Sequence, residues 1–431
     1  MSTALATRPE PPGLFKRVGN LRHTSPGRLK LLLATLLTLG LLAGLVATVA
    51  GQSARSGTDD LGRRAQPLLV EAETIYSALA DADTTAAQAF LAGGLEPASL
   101  TQRYDDDLQR ASTALTSAAR RTPDDAVRTL SAGVAEYSAL VATARANNRQ
   151  GLPVGASYLS VASKLNRETL QPQARALFST AQSEVNDGYG RAAALGWMLL
   201  LLLLLAGLVV ALLGTQRYLS RRTHRTFNVP LLAATAVTLV LVIGAFGVIV
   251  NQQRHLDRAK NEGSGPIASI AESRILALQA RGDEALTLAA RGSGAAYEAD
   301  FDAVSDRLTV RGGPLVNSYG ALDPELGRVM DRAAESFRQY VKAHDQVRAL
   351  DDNGSYDGAV DLAIGSKTTQ TFESLRSDLD FALEDRKAAF TGEIGAASGG
   401  LGLLTVLGPL MALLIAALAY TGLRPRLEEY R

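Results

Sequence analysis

The chain contains no cysteine. That absence excludes a disulfide framework, a thiolate metal site and a cysteine nucleophile, so whatever folds must be held by packing alone. Four stretches, residues 31–50, 192–214, 230–250 and 401–420, contain no Asp, Glu, Lys, Arg or His. A span without ionisable groups offers little to coordinate a polar substrate at the bilayer midplane, which argues against a transporter. Strand-type alternation of apolar and polar residues is also missing, so the expected fold is all-α. There are four histidines. His23 and His224 lie in basic segments, His255 and His344 are isolated from each other, and none is paired at i, i+4, so no metal site is expected. The chain has no glycine-rich phosphate loop after a strand, no nucleophile elbow and no kinase signature. Neither an enzyme nor a bound cofactor is expected.

The four uncharged runs are long enough to cross a ~30 Å hydrocarbon core as helices rising 1.5 Å per residue. The first exceeds the usual core of a secretory signal, and cleaving it would leave an odd number of spans, so it is read as an uncleaved anchor. The net charge of +1 conceals a strong asymmetry: residues 1–30 carry +5, 51–191 carry −2, 215–229 carry +4, 251–398 carry −7 and 421–431 carry +1. Short basic segments stay in the cytoplasm while long domains cross largely regardless of charge. This predicts a multi-pass bacterial cell-membrane protein with both termini inside and both long stretches outside. Arginine exceeding lysine, with abundant alanine, fits a bacterium of GC-rich genome.

The expected fold is an all-α membrane protein with four transmembrane helices, two extracytoplasmic four-helix bundles and an internal duplication. The order is a cytoplasmic tail 1–30, helix 31–50, bundle 51–191, helix 192–214, basic loop 215–229, helix 230–250, bundle 251–398, helix 399–421 and tail 422–431. In the first bundle Leu68, Ala72, Ile75, Leu79, Ala82 and Ala86 step by four and three, which keeps them on one helix face. Tyr104, Leu108, Ala111, Leu115 and Ala118 repeat the pattern, and so do Val127, Leu130, Val134, Tyr137, Val141 and Ala144. A fourth helix starts near Ser157 and kinks or breaks at Pro172. The second stretch repeats the plan, with breaks at residues 292–294, 312–314 and 351–354. An offset near 200 brings Ile75 onto Ile275, Asp83 onto Asp283 and Val141 onto Val341, which points to duplication. Asn353-Gly354-Ser355 reads as a turn.

Few residues stand out for chemistry. Asp105, Asp106 and Asp107 cannot converge on one cation, because successive helical residues point about 100° apart, so they read as a solvated face. Gly40 with Gly44, and Gly244 with Gly247, offer close-packing surfaces between spans, and Pro409 can kink the last one. Arg103 with Tyr104, and Arg338 with Tyr340, are candidates for a ligand site between helices, although neighbouring helix positions diverge. The loop arginines Arg217, Arg221, Arg222 and Arg225 fit topology and lipid headgroups, and also a docking site for a cytoplasmic partner.

A span, an outer four-helix bundle and a second span resemble the sensor modules of bacterial chemoreceptors and histidine kinases. Two such modules without cytoplasmic output domains resemble the GlnX membrane proteins of actinobacteria. The stretch GLPVGASYLSVAS over 151–163 and its counterpart NGSYDGAV over 353–360 carry that resemblance. It implies a non-catalytic relay in which an extracytoplasmic amino-acid-binding lipoprotein of the GlnH type docks outside and a Ser/Thr kinase of the protein kinase G type is influenced inside. No ligand contact is carried over by the resemblance. Membrane lipids are expected neighbours, a homodimer is compatible, and no nucleic acid is expected. The alternatives are an envelope scaffold and a direct small-molecule sensor.

Overall fold

The computed structural model describes residues 25–93, 96–223, 228–316, 319–321 and 323–428. Residues 1–24 and 429–431 of the expected tails and Arg225 lie outside the described residues, as does the side chain of Arg222, while residues 25–30 and 422–428 of those tails are helical. Among the described residues the chain is helical throughout, with no strand, and four helical stretches are long and apolar enough to cross a membrane. In order these are α1 Ser25–Asp60, α2 Gln66–Leu91, α3 Ala98–Ala119, α4 Asp125–Arg149, α5 Val154–Leu165, α6 Gln171–Ala193 and α7 Leu195–Thr223. Then follow α8 Val229–Arg258, α9 Gly265–Ala289, α10 Ala295–Thr309, α11 Pro324–Asp352, α12 Tyr356–Ile364, α13 Ser366–Ala397 and α14 Leu401–Glu428.

Three π turns interrupt these helices: Leu61–Ala65, Asn166–Leu170 and Ala259–Ser264. Each lies just ahead of a proline: Pro67, Pro172 or Pro266. A proline inside a helix lacks the N–H and its ring pushes on the carbonyl four residues back. One extra residue in the preceding turn widens the backbone at that point. The predicted kink or break at Pro172 is therefore resolved as a bulge, and the helical path continues.

The chain forms two compact units. One comprises Met1–Thr58, Gly190–Arg254 and Ala397–Arg431, and thus holds the four apolar runs. Its buried side includes Leu36, Ala43, Ala47, Leu205, Leu212, Leu231 and Ile415, while Leu45, Leu203, Val210, Ile243 and Leu413 are exposed. Large aliphatic side chains on the outside are costly in water and suited to lipid. Gly44 is a close-packing residue: a Cβ there would sit 2.7 Å from that of Ala412 and 3.4 Å from the Pro409 backbone. Gly57 is tighter still, with the Ala192 backbone 2.7 Å from a virtual Cβ. Gly244 and Gly247 face no atom within 4 Å, so the second predicted packing surface is not used. α6 stops at Ala194, which adopts φ +44°, and the side chain of Gln252 donates to the orphaned Ala192 carbonyl at 2.7 Å. That bond satisfies a backbone acceptor the helix end would otherwise strand.

The other unit comprises Asp59–Tyr189 and His255–Ala396, so both long hydrophilic stretches contribute to one compact body. α2 packs along α3 and also along α9, α9 packs along α10, α4 pairs with α5, and α11 pairs with α12. The predicted α2 and α4 stripes are buried at every named position. α2 goes further: Glu73, Ser77, Asp81, Asp83, Thr84 and Thr85 are buried too, because the helix is covered on both sides. In α3 the inward positions are Tyr104, Asp107, Ala111, Ala114, Leu115 and Ala118. Asp107 corrects the expectation of a uniformly solvated acidic run. Asp105 and Asp106 are exposed as expected, but Asp107 falls on the apolar face and is buried.

Candidate functional site

Charged groups are buried along the α2–α9 seam of this second unit. Taken singly, each would be too costly to bury, since a buried ion needs a partner and filled hydrogen bonds. They occur instead as three linked clusters. In the first, Arg274 from α9 reaches Asp81 of α2 at 2.8 Å and Asp380 of α13 at 2.6 Å. Arg110 of α3 bonds Asp107 and lies 3.3 Å from Asp81. Burial, with the neighbouring Asp81 charge, pushes the Asp107 carboxyl up to about 6 against the pull of Arg110.

The second cluster lies between equivalent positions of the two stretches. Arg167, in the π turn after α5, donates Nε to Asp83 Oδ2 at 2.9 Å and Nη1 to Asp283 Oδ1. Ser163 donates to Asp83 at 2.8 Å, and the Tyr297 ring lies under the guanidinium, 6.0 Å from its centroid. Thr84 bonds the Leu278 carbonyl at 2.8 Å, fixing α2 against α9 in the same layer. Burial raises the Asp283 carboxyl to about 6 despite Arg167.

The third cluster lies within the second stretch. Arg281 donates to Glu284 at 2.6 Å and to the Ala363 carbonyl at 3.0 Å, and its guanidinium lies over the Tyr340 and Phe372 rings. His344 stands between Glu284 and Glu298, each 3.1 Å from a ring nitrogen, and stacks on Phe301. Burial disfavours the imidazolium, but the two carboxylates outweigh it and raise the His344 pKa.

Neither of the two predicted arginine–tyrosine pairs comes together. Arg103 turns to Glu373 at 2.7 Å and Arg338 to Glu335 at 2.7 Å, while Tyr104 and Tyr340 point inward. Their rings are capped instead by Arg145 and Arg281. Of the loop arginines, Arg217 and Arg221 are exposed, one turn apart near the end of α7. Among the described residues no group of His, Cys, Asp or Glu is placed to hold a metal ion.

Sequence reasoning missed Asp81, Arg167, Arg274 and Arg281. One signal for them was present. Around Asp81 and Asp83, the other residues of 78–87 are small or apolar on every face, and an all-round apolar helix is covered all round. Charges in such a helix are buried and must be paired.

No curated protein matches the chain. Residues 57–190, less than half of its length, match the family model described as the actinobacterial sensor domain. That stretch contains α2 to α5 and most of α6, with Asp81, Asp83, Asp107 and Arg167 of the ionic seam. The chain is thus similar, over residues 57–190, to the actinobacterial sensor domain, and the similarity supports a sensing and signalling role for a membrane protein of this kind.

Proposed function

We propose that the protein is a non-catalytic transmembrane receptor, with both termini cytoplasmic and the second unit extracytoplasmic. In this reading it reports extracytoplasmic amino-acid status to a cytoplasmic Ser/Thr kinase of the protein kinase G type, through a docked solute-binding lipoprotein of the GlnH type. The observation that carries the reading is the ionic seam of α2 and α9. Each of these helices follows directly, through a π turn, from a helix long and apolar enough to span a membrane. Paired buried charges have few acceptable arrangements, so a partner that prefers one of them shifts the helices between discrete registers. Equal affinity for both would shift nothing.

Asp83 and Asp283, and the π turns Leu61–Ala65 and Ala259–Ser264, recur in the two stretches at an offset near 200, which supports internal duplication. Docking outside is supported by an apolar strip at the start of α5. Leu152, Val154, Tyr158 and Val161 are exposed there, next to the turn at Gly151 whose φ of +67° suits glycine. Docking inside is assigned to Arg217, Arg221, Arg222 and Arg225.

The test is recovery of partners from native membranes with and without added amino acids. A partner set that contains neither a lipoprotein nor a kinase, and ignores amino acids, refutes the relay. Replacing Arg221, Arg222 and Arg225 with Gln is expected to weaken kinase recovery at unchanged topology. Unchanged recovery reduces the loop to a topology signal.

A further inference from the structure

One cleft in the second unit is lined by α2, α6, α9 and α10 and encloses about 300 Å³. That is the lower end of the range for small-molecule sites. Its walls are mixed: Phe178, Ile275 and Leu276 supply apolar surface, and Glu73, Tyr76, Arg175, Glu272 and Arg307 supply polar groups. Most of these charges are already spent. Glu73 is held by Lys387 at 3.1 Å and Arg307 is bonded to Glu272 Oε1. Arg175 is exposed and has no ion-pair partner among the described residues. Burial raises the Tyr76 phenol, and the Arg175 and Arg307 charges pull it back down, so both guanidiniums act on the same floor.

A free guanidinium at the rim of a half-enclosed cavity is suited to a carboxylate, which it can grip through two parallel N–H bonds. Glu272 uses one carboxylate oxygen on Arg307 and leaves the other for a donor. We infer that this cleft binds a small zwitterion of α-amino-acid size directly, its carboxylate on Arg175 and its ammonium on Glu272. The binding requires neither a lipoprotein nor a kinase. It also bears on the ionic seam: Glu73 of the cleft floor lies in the field of Arg274, and a ligand held across α2, α6, α9 and α10 joins helices from both stretches.

The experiment uses the full chain in lipid nanodiscs. Thermal shift and calorimetric titration are run with the free amino acids, succinate and ethylamine. At least one amino acid is expected to bind saturably, at least tenfold more tightly than succinate or ethylamine. Arg175→Gln is expected to weaken that binding at least tenfold, the scale of one charge-assisted contact, and Arg175→Lys by less. The control Arg338→Gln, whose side chain pairs with Glu335 on the same helix, should bind as the wild type does. Three results overturn the inference: no binding by any amino acid, binding indifferent to Arg175→Gln, or succinate binding as tightly as the zwitterions. None of these results bears on recovery of a lipoprotein or kinase from membranes, so this site and the relay fail separately.

Discussion

Replacing Arg167 with Met isolates what the ionic seam contributes. The side chains of Asp83 and Asp283 are 3% and 1% exposed, and Arg167 is the only cation bonded to either among the described residues. Without it, Asp83 keeps its bonds from Ser163 and Tyr137, whereas Asp283 loses the one hydrogen-bond donor it has among the described residues. Removing one partner of a buried ion pair costs about 3–5 kcal/mol, because the stranded charge remains. Methionine fills much of the volume, so little of that cost is a cavity. At roughly 2–4 °C per kcal/mol for a body of this size, the unfolding midpoint in nanodiscs at pH 7.5 should fall on the order of 10 °C. The loss should shrink on acidification. Asp283 already has a pKa raised to about 6, and without Arg167 it rises further. A raised carboxyl contributes stability that is fully present below its unfolded value and is lost as pH rises through the folded one. Adding Asp83→Asn and Asp283→Asn to the same chain should restore most of the midpoint, since no charge is then stranded. A fall of less than 2 °C, or one that is the same at pH 5 and pH 7.5, refutes the reasoning.

Asp107→Asn should behave in the opposite sense. The Asp107 carboxyl is raised to about 6 from 3.8 by burial and by Asp81, a shift of roughly two units or about 3 kcal/mol at most. Arg110 is half-exposed and can turn to water once its partner is neutral. The variant should therefore match the wild type below about pH 4, gain on it as pH rises toward 6 and keep a constant advantage above that, read as unfolding midpoints across that range. An advantage that grows toward low pH sinks the assignment. In the membrane unit, Gly57→Leu should destabilise by several kcal/mol, because no side chain fits against the Ala192 backbone. Gly247→Leu should be near neutral, since nothing stands within 4 Å of its Cβ. Comparable expression and thermal stability of the two variants would contradict that packing.

The parts of this fold legible in the sequence are those governed by one rule at a time. Absence of charge marked the four apolar runs, and three-four spacing marked the buried faces of α2 and α4. The same rule missed Asp107, which occupies a stripe position between Tyr104 and Ala111 while its neighbours Asp105 and Asp106 face water. It had no means of finding Arg167. That residue is buried only because two aspartates from different helices, Asp83 and Asp283, converge on it. The offset near 200 aligned those aspartates without indicating that a single arginine joins them. The cleft around Arg175 is illegible for the same reason, since its lining comes from four helices spread between Glu73 and Arg307.

The widened turns ahead of Pro67, Pro172 and Pro266 carry a further consequence. A helix that gains one residue without gaining a hydrogen-bonded step is out of phase with itself across the turn. Each residue is worth about 100° of rotation and 1.5 Å of rise. Within the second unit, the face that α5 presents ahead of the turn Asn166–Leu170 is therefore offset from the face α6 presents after it. Deleting Glu168 from that turn would let the chain run as a plain α-helix and turn the α5 stripe through about a quarter circle relative to the α6 stripe. Each turn is in effect a screw thread with one residue of slack, by which an axial slip of a single step becomes a rotation.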